Sequence, residues 1–341
     1  MAAVTVPIET QHSRRMRALS VSARELIELA GEKGVEDVVV NPDHSLWVNR
    51  TGEGFQFVRK VPEESIKSIL LQIAFHQGFK FSTENPILET DLPENGARIT
   101  GLCRPIVRGV ALAIRPHPKV RYTMSDYRSA GIVTRKHDPL NAKSQRDRFL
   151  DLAQGKDHDE IFSLAIQYRQ NILVGGATGA GKTTFLNMLF SEIGRLCPRD
   201  RIVGIEDTLE LQWDAIPNYV SLLASNGISA ARCLETTLRL KPHRIVVGEV
   251  RKKAAARALL EAWNTGHRGG IATVHADDAR SVLQRFEELL RESDRPAIAR
   301  ALNVVAFIDE CEHVSAGRKL KEVSIIHGYD RKKGVYELEA V

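Results

Sequence analysis

Apolar residues recur at helical spacing in the stretch 61–78, VPEESIKSILLQIAFHQG, where Ile66, Ile69, Leu70, Ile73 and Ala74 share one face. Pro62 and Glu63 suit the first turn of that helix. The stretch 22–31, SARELIELAG, reads as an earlier helix that Gly31 ends. Between them, VEDVVVNPDHSLWVNR (35–50) reads as two strands joined by the turn Asn41-Pro42-Asp43. ILETDLPENGARITGL (87–102) and RGVALAIRP (108–116) continue as strands broken by proline and glycine turns. This pattern predicts a small α/β domain over 21–117, preceded by a short arm at 1–20. Pro116-His117-Pro118 reads as a stiff start to a linker region at 118–135. Within it, YTMSDYRSAGIV reads as a short helix with Ser125 and Asp126 as candidate caps.

From 136 to 341 the pattern changes. NILVG (171–175), RIVGIED (201–207), YVSLLAS (219–225), RIVVGE (244–249), GIATVHA (270–276) and VVAFID (304–309) are short apolar runs. Helical stretches such as TTFLNMLFSEIGRL (183–196) lie between most of them. Alternation of this kind predicts an α/β domain on a parallel sheet. Several runs end in an acidic or polar residue, at the carboxyl edge where such sheets hold ligands.

Composition narrows the picture only slightly. The 341 residues suffice for two domains, and 43% hydrophobic with 27% charged residues is ordinary globular usage that excludes extended disorder. The net charge of +5 permits contact with nucleic acid or an anionic membrane and requires neither. Aromatics are 6% of the chain and no basic stripe interleaves them, so a nucleic-acid partner is allowed but unsupported. Cys103, Cys197, Cys233 and Cys311 form no Cys-x-x-Cys pair, which argues for free thiols in a reducing compartment and against a zinc site. No apolar run approaches the ~18 residues of a membrane helix, and MAAVTVPIET lacks the apolar core of a signal peptide. The expectation is a cytoplasmic protein whose membrane contact is peripheral. Arg14, Arg15 and Arg17, beside Met16 and Leu19, read either as a basic amphipathic turn that touches lipid or as a solvated terminus.

The strongest chemical signal is Gly176, Ala177, Thr178, Gly179, Ala180, Gly181, Lys182, Thr183, followed by Thr184. It matches G-x-x-x-x-G-K-[ST] and lies between an apolar strand and a helix. Its glycines let backbone N–H groups turn toward phosphate oxygens, and the helix N-terminus adds positive potential. Lys182 is expected on the β- and γ-phosphates of ATP, and the Thr183 hydroxyl on Mg²⁺. Hydrolysis also needs a group to orient water and support the metal through its water shell. Glu249, ending RIVVGE in the manner of a Walker B strand, and Glu206, ending RIVGIE, are the two candidates. Glu249 is the preferred base. His275, at the end of GIATVH, is placed to contact the γ-phosphate.

IEDTLEL (205–211), VVGEVR (246–251) and WNTGHRGGIATVHADDA (263–279) follow the phosphate loop in order. With it they resemble the secretion or traffic ATPases of type II and type IV secretion, conjugation and type IV pili. The segment WNTGHRGGIATVHA and the N-terminal VVVNPDHSLWVNRTGEG are most similar to TrbB-type conjugal-transfer ATPases. The resemblance spans about 25–310. It implies a RecA-like motor joined to the smaller N-terminal domain, ATP held between the two, and a homo-hexameric ring. It implies secretion-machinery partners at the cytoplasmic face of the inner membrane. The family's Asp box falls on Glu206 and Asp207, its Walker B glutamate on Glu249 and its His box on His275. Arg98 and Arg115 match the arginines that reach the phosphates from the N-terminal domain. Arg239 matches a family arginine to which we assign no role. The sequence departs from the family at Lys252-Lys253-Ala254-Ala255 and at Pro242-His243, where acids are replaced. A pilus extension or retraction motor and a DNA-stimulated RecA-like motor are the alternatives.

Overall fold

The structure is a computed structural model, described for residues 21–92, 96–117, 123–133 and 144–341. The basic arm at 1–20, Pro118 and parts of the linker region lie outside these residues. The chain divides into two compact units at His117/Pro118.

In the first unit, β1 (Val35–Val40) and β2 (Ser45–Arg50) form the hairpin read from the sequence. Its turn closes with Asn41 N–H donating to the Ser45 carbonyl. A strand not expected from the sequence, β3 (Gly54–Lys60), pairs with β2. Phe57 and Val58 on it stay half-exposed, so its apolar residues do not alternate cleanly between core and solvent. With β4 (Ile87–Asp91), β5 (Arg98–Cys103) and β6 (Val110–Arg115), the sheet runs β3-β2-β1-β6-β5-β4, antiparallel throughout. Helices α1 (Val21–Ala30) and α2 (Glu63–Gln77) contribute Leu26, Ala30, Ile66, Ile69, Leu70, Ile73 and Ala74 to its core. Pro62 is the N-cap residue of α2, one position before its first turn. Gly78, left-handed at φ 74°, closes its end, a conformation that strains residues with a Cβ.

In the second unit, α3 (Met124–Ser129) is capped by Thr123 rather than Ser125. The Thr123 hydroxyl and the Asp126 carboxylate form a reciprocal capping box. The eight-stranded sheet has the order β14-β13-β12-β7-β11-β10-β8-β9. Its parallel part comprises β7 (Asn171–Gly176), β8 (Ile202–Glu206), β9 (Tyr219–Leu223), β10 (Arg244–Val247), β11 (Ile271–His275) and β12 (Leu302–Glu310). An antiparallel edge of β13 (Arg318–Asp330) and β14 (Val335–Ala340) completes it. Every residue of β7, β8 and β10 is buried, as expected where helices cover both faces. On one face, α4 (Gln145–Ala153), α5 (His158–Gln167) and α6 (Lys182–Leu196) pack with Ile172 and Val174. On the other, α9 (Ala279–Glu288) lies so close to β7 that a Cβ on Gly175 would meet Val282. The remaining helices are α7 (Ala230–Thr237), α8 (Lys253–Asn264) and α10 (Arg295–Ala301). No helix among the described residues is long and apolar enough to cross a membrane.

Candidate active site

The carboxyl ends of β7, β8, β10 and β11 converge on a cavity of about 410 Å³. Strand β7 runs into the loop 177–181, and α6 starts at Lys182. Gly181, the N-cap, has φ 94°, and a Cβ there would also run into the Arg318 guanidinium. The loop needs glycine here for its conformation, since the exposed Arg318 side chain could move aside but the positive φ would remain. Gly179, Gly181, Lys182, Thr183 and Thr184 all line the cavity.

Lys182 is 8% exposed, and its Nζ donates to the carbonyls of Gly176 at 2.7 Å and Ala177 at 2.8 Å. The side chain is folded back on its own loop. Burial pulls its ammonium below the usual lysine range; Glu249 opposes that shift and Arg251 adds to it. Two carbonyls are weak partners for a partly desolvated cation, so a phosphate oxygen would be a better one.

The two candidate bases have different surroundings. Glu206 is 4% exposed and fully engaged. Its Oε1 accepts the backbone N–H of Glu210 at 2.9 Å and of Leu211 at 2.8 Å, while Oε2 accepts the Ser221 hydroxyl at 3.2 Å. It acts as an anchor for the loop after β8. Glu249 stands two residues beyond β10. Its Oε2 accepts from Arg251 Nη2 at 2.8 Å. Its Oε1 lies 2.9 Å from His275 Nε2, off the hydrogen-bond direction, and is a buried oxygen without a hydrogen-bond partner. Burial alone would raise the Glu249 carboxyl. The Arg251 hydrogen bond, with charge from His275, Arg251 and Lys182, outweighs burial and holds it below the usual carboxylate range. The group is therefore ionised at neutral pH.

Glu210, Arg251, Arg318 and Thr273 also line the pocket, and the sequence reading gave none of them a role. Thr183 Oγ1 donates to Glu210 Oε2 at 2.9 Å. Glu210 stands four residues after Glu206, inside IEDTLEL, and its spacing was the available signal. Arg251 bridges Glu249 and Asp207, its Nη1 3.6 Å from Asp207 Oδ2. Arg318 enters from the start of β13, 137 positions downstream of Gly181, and nothing local in the sequence marks it. Thr273 Oγ1 donates to the Gly248 carbonyl at 2.6 Å, tying the His275 strand to the Glu249 turn.

Arg98 and Arg115 belong to the first unit. They are cross-strand partners on β5 and β6, both exposed, and Arg115 Nε lies 3.8 Å from Asp37 Oδ1. The structure brings these two arginines together on one sheet. The described residues that line the cavity belong to the second unit.

The oxygen donors at Thr183 and Glu210 are hard ligands of the kind Mg²⁺ takes together with substrate phosphates. No cluster of three or more His, Cys, Asp or Glu able to hold a metal by itself occurs among the described residues.

The family model for type II/IV secretion system proteins matches residues 21–339. The conjugal transfer protein TrbB of Rhizobium radiobacter is 35% identical over 320 residues, covering 93% of this chain and 92% of that protein. The type IV secretion system protein VirB11 of Bartonella quintana is 28% identical over 323 residues, covering 86% and 88%. Among solved structures, the VirB11 ATPase from the Brucella suis type IV secretion system, in complex with sulphate, superimposes with a TM-score of 0.80. It is 25% identical, and the match covers 91% of this chain and 95% of that one. The α/β architecture read from the sequence, a RecA-like P-loop domain with a smaller N-terminal domain, is the architecture of this chain.

Proposed function

This chain belongs to the type II/IV secretion system protein family, and on that premise we propose that it hydrolyses ATP to drive transfer through a conjugation-type secretion machine. The observation that carries the chemistry is the buried Glu249 Oε1, beside His275 but without a hydrogen-bond partner among the described residues, held ionised in the same cavity as Lys182 and Thr183. A carboxylate oxygen with no hydrogen-bond donor in that position is suited to accept a hydrogen bond from an attacking water.

The 176–184 loop receives the phosphates on its N–H groups, and Lys182 exchanges its two carbonyls for phosphate oxygens. Thr183 and Glu210 would hold Mg²⁺, whose charge offsets that of the phosphates. Glu249 orients the water, with Arg251 fixing its second oxygen. His275, 2.9 Å from Glu249, senses the change in charge when the phosphate leaves. Glu206 keeps the 207–211 turn in place and with it Glu210. Arg98 and Arg115 are assigned to the phosphates from the N-terminal unit, where a guanidinium stabilises charge on the transferring group. The working form is a homo-hexamer seated against secretion-machinery proteins at the cytoplasmic face of the inner membrane.

The test is a mating assay in a host that lacks this chain, with light scattering of the purified protein. Wild type is expected to restore transfer with a mass near six chains, and Lys182→Ala to restore none. Transfer at wild-type frequency by Lys182→Ala would remove the proposal. Hydrolysis that begins only when DNA is added would favour the DNA-stimulated motor instead.

A further inference from the structure

A second cavity, of about 470 Å³, opens at the opposite edge of the same sheet. It lies where β7 and β12 begin and where the 263–270 segment leads into β11. Strand β7 has six residues, so at ~3.3 Å per residue this cavity is roughly 20 Å from the phosphate loop.

Among the described residues, three arginines line it, Arg146, Arg268 and Arg300, and no acidic residue does. Arg146 is fixed: its guanidinium donates to the carbonyls of Ala299, Arg300 and Ile326. Burial lowers its tendency to stay protonated, and the charge of Arg268 lowers it further. Asp147, the acid that acts on Arg146, accepts the N–H and hydroxyl of Ser144 in the cap of α4. Arg268 and Arg300 are exposed, and their guanidinium groups make no ion pair or hydrogen bond among the described residues. Asp147 offsets charge at Arg146 only, and an anion between the three arginines would relieve the repulsion between Arg146 and Arg268.

The floor of the cavity also offers unspent donors. Asn303 is 6% exposed; its Oδ1 accepts the Asn171 N–H at 2.9 Å, and its Nδ2 has no hydrogen-bond partner among the described residues. Trp263, 2% exposed, also lines the cavity, and its buried indole nitrogen packs against Gly270. An unspent side-chain amide beside three guanidinium groups suits an anionic acceptor.

We infer that this cavity is a second oxyanion site, which takes a phosphate-type group between Arg146, Arg268 and Arg300 with Asn303 beneath it. Its volume suits a small anion or the phosphate tail of a nucleotide. The site shares no residue with the nucleotide cavity, and β7, β11 and β12 each start beside it.

The experiment is equilibrium dialysis of radiolabelled inorganic phosphate at fixed ionic strength, on the full chain carrying Lys182→Ala to weaken the first site. One saturable phosphate per chain is expected. Adding Arg268→Ala and Arg300→Ala should weaken it at least tenfold, and Arg268→Lys with Arg300→Lys should retain part of it. Both arginines are exposed, so the unfolding midpoint should not move. Displacement of the label by ATP would assign the site to nucleotide phosphates, and no displacement to inorganic phosphate. Absence of saturable binding in the Lys182→Ala chain, or binding that ignores both arginine changes, would overturn the inference. Neither result would bear on hydrolysis at the first site.

Discussion

Replacing Glu206 separates an anchor from a base. Its carboxylate accepts two backbone N–H groups and one hydroxyl, with the residue 4% exposed. Hydrogen bonds to a charged acceptor contribute about 1.5–3 kcal/mol each, and a buried donor left unpaired costs about 1–3 kcal/mol. The Leu211 N–H is buried, whereas Glu210 is exposed enough for water to replace part of its bond. Glu206→Ala should therefore cost roughly 3 kcal/mol of stability. Glu206→Gln keeps an acceptor for both N–H groups and presents its amide to Ser221, so it should cost about 1 kcal/mol. In hydrolysis, Glu206→Gln should stay within about tenfold of wild type, while Glu249→Gln should lose a factor of about 10² to 10⁴. Urea unfolding supplies the first pair of numbers and steady-state phosphate release the second. If Glu206→Gln were as inactive as Glu249→Gln with an unchanged unfolding midpoint, the division of roles would be wrong.

Burial pushes the His243 imidazole down from 6.5 to about 4. The unfolded chain then binds the proton first, so stability is full above about pH 6.5 and falls as pH drops toward 4. His243→Gln should flatten unfolding free energy across that window, and an unchanged slope would refute the assignment. Arg251→Ala removes the strongest influence that opposes burial at Glu249. The acid limb of kcat should move to higher pH, and an unmoved limb would show that Arg251 does not tune this carboxylate. Gly181→Ala forces a Cβ onto φ 94° and toward Arg318. ATP affinity measured by calorimetry should fall at least tenfold, and retained affinity would mean the loop can change its turn.

The phosphate loop was legible because its chemistry is local: consecutive residues carry the glycines, the lysine and the hydroxyl. The parallel strands were legible for a related reason, since strands buried on both faces read as unbroken apolar runs. The choice between Glu206 and Glu249 was not legible. It depends on which donors face each carboxylate, and the Ser221 hydroxyl on β9 and the N–H groups of 210 and 211 are set by the tertiary fold. The β13–β14 hairpin escaped because RKLKEVSIIHGYD mixes lysines with a short apolar run, and its register is fixed by pairing with β12. Arg318 was missed along with it. At α3, Thr123 rather than Ser125 is the cap, because Asp126 returns the bond from three residues on.

The most direct test of the central claim is single-turnover hydrolysis of Mg²⁺-ATP by Glu249→Gln, with nucleotide binding measured on the same protein. The account predicts binding within about threefold of wild type and a chemical step slowed at least about a hundredfold. Turnover at the wild-type rate with Glu249 neutralised would contradict it and return the search for the water-orienting group to the rest of the cavity.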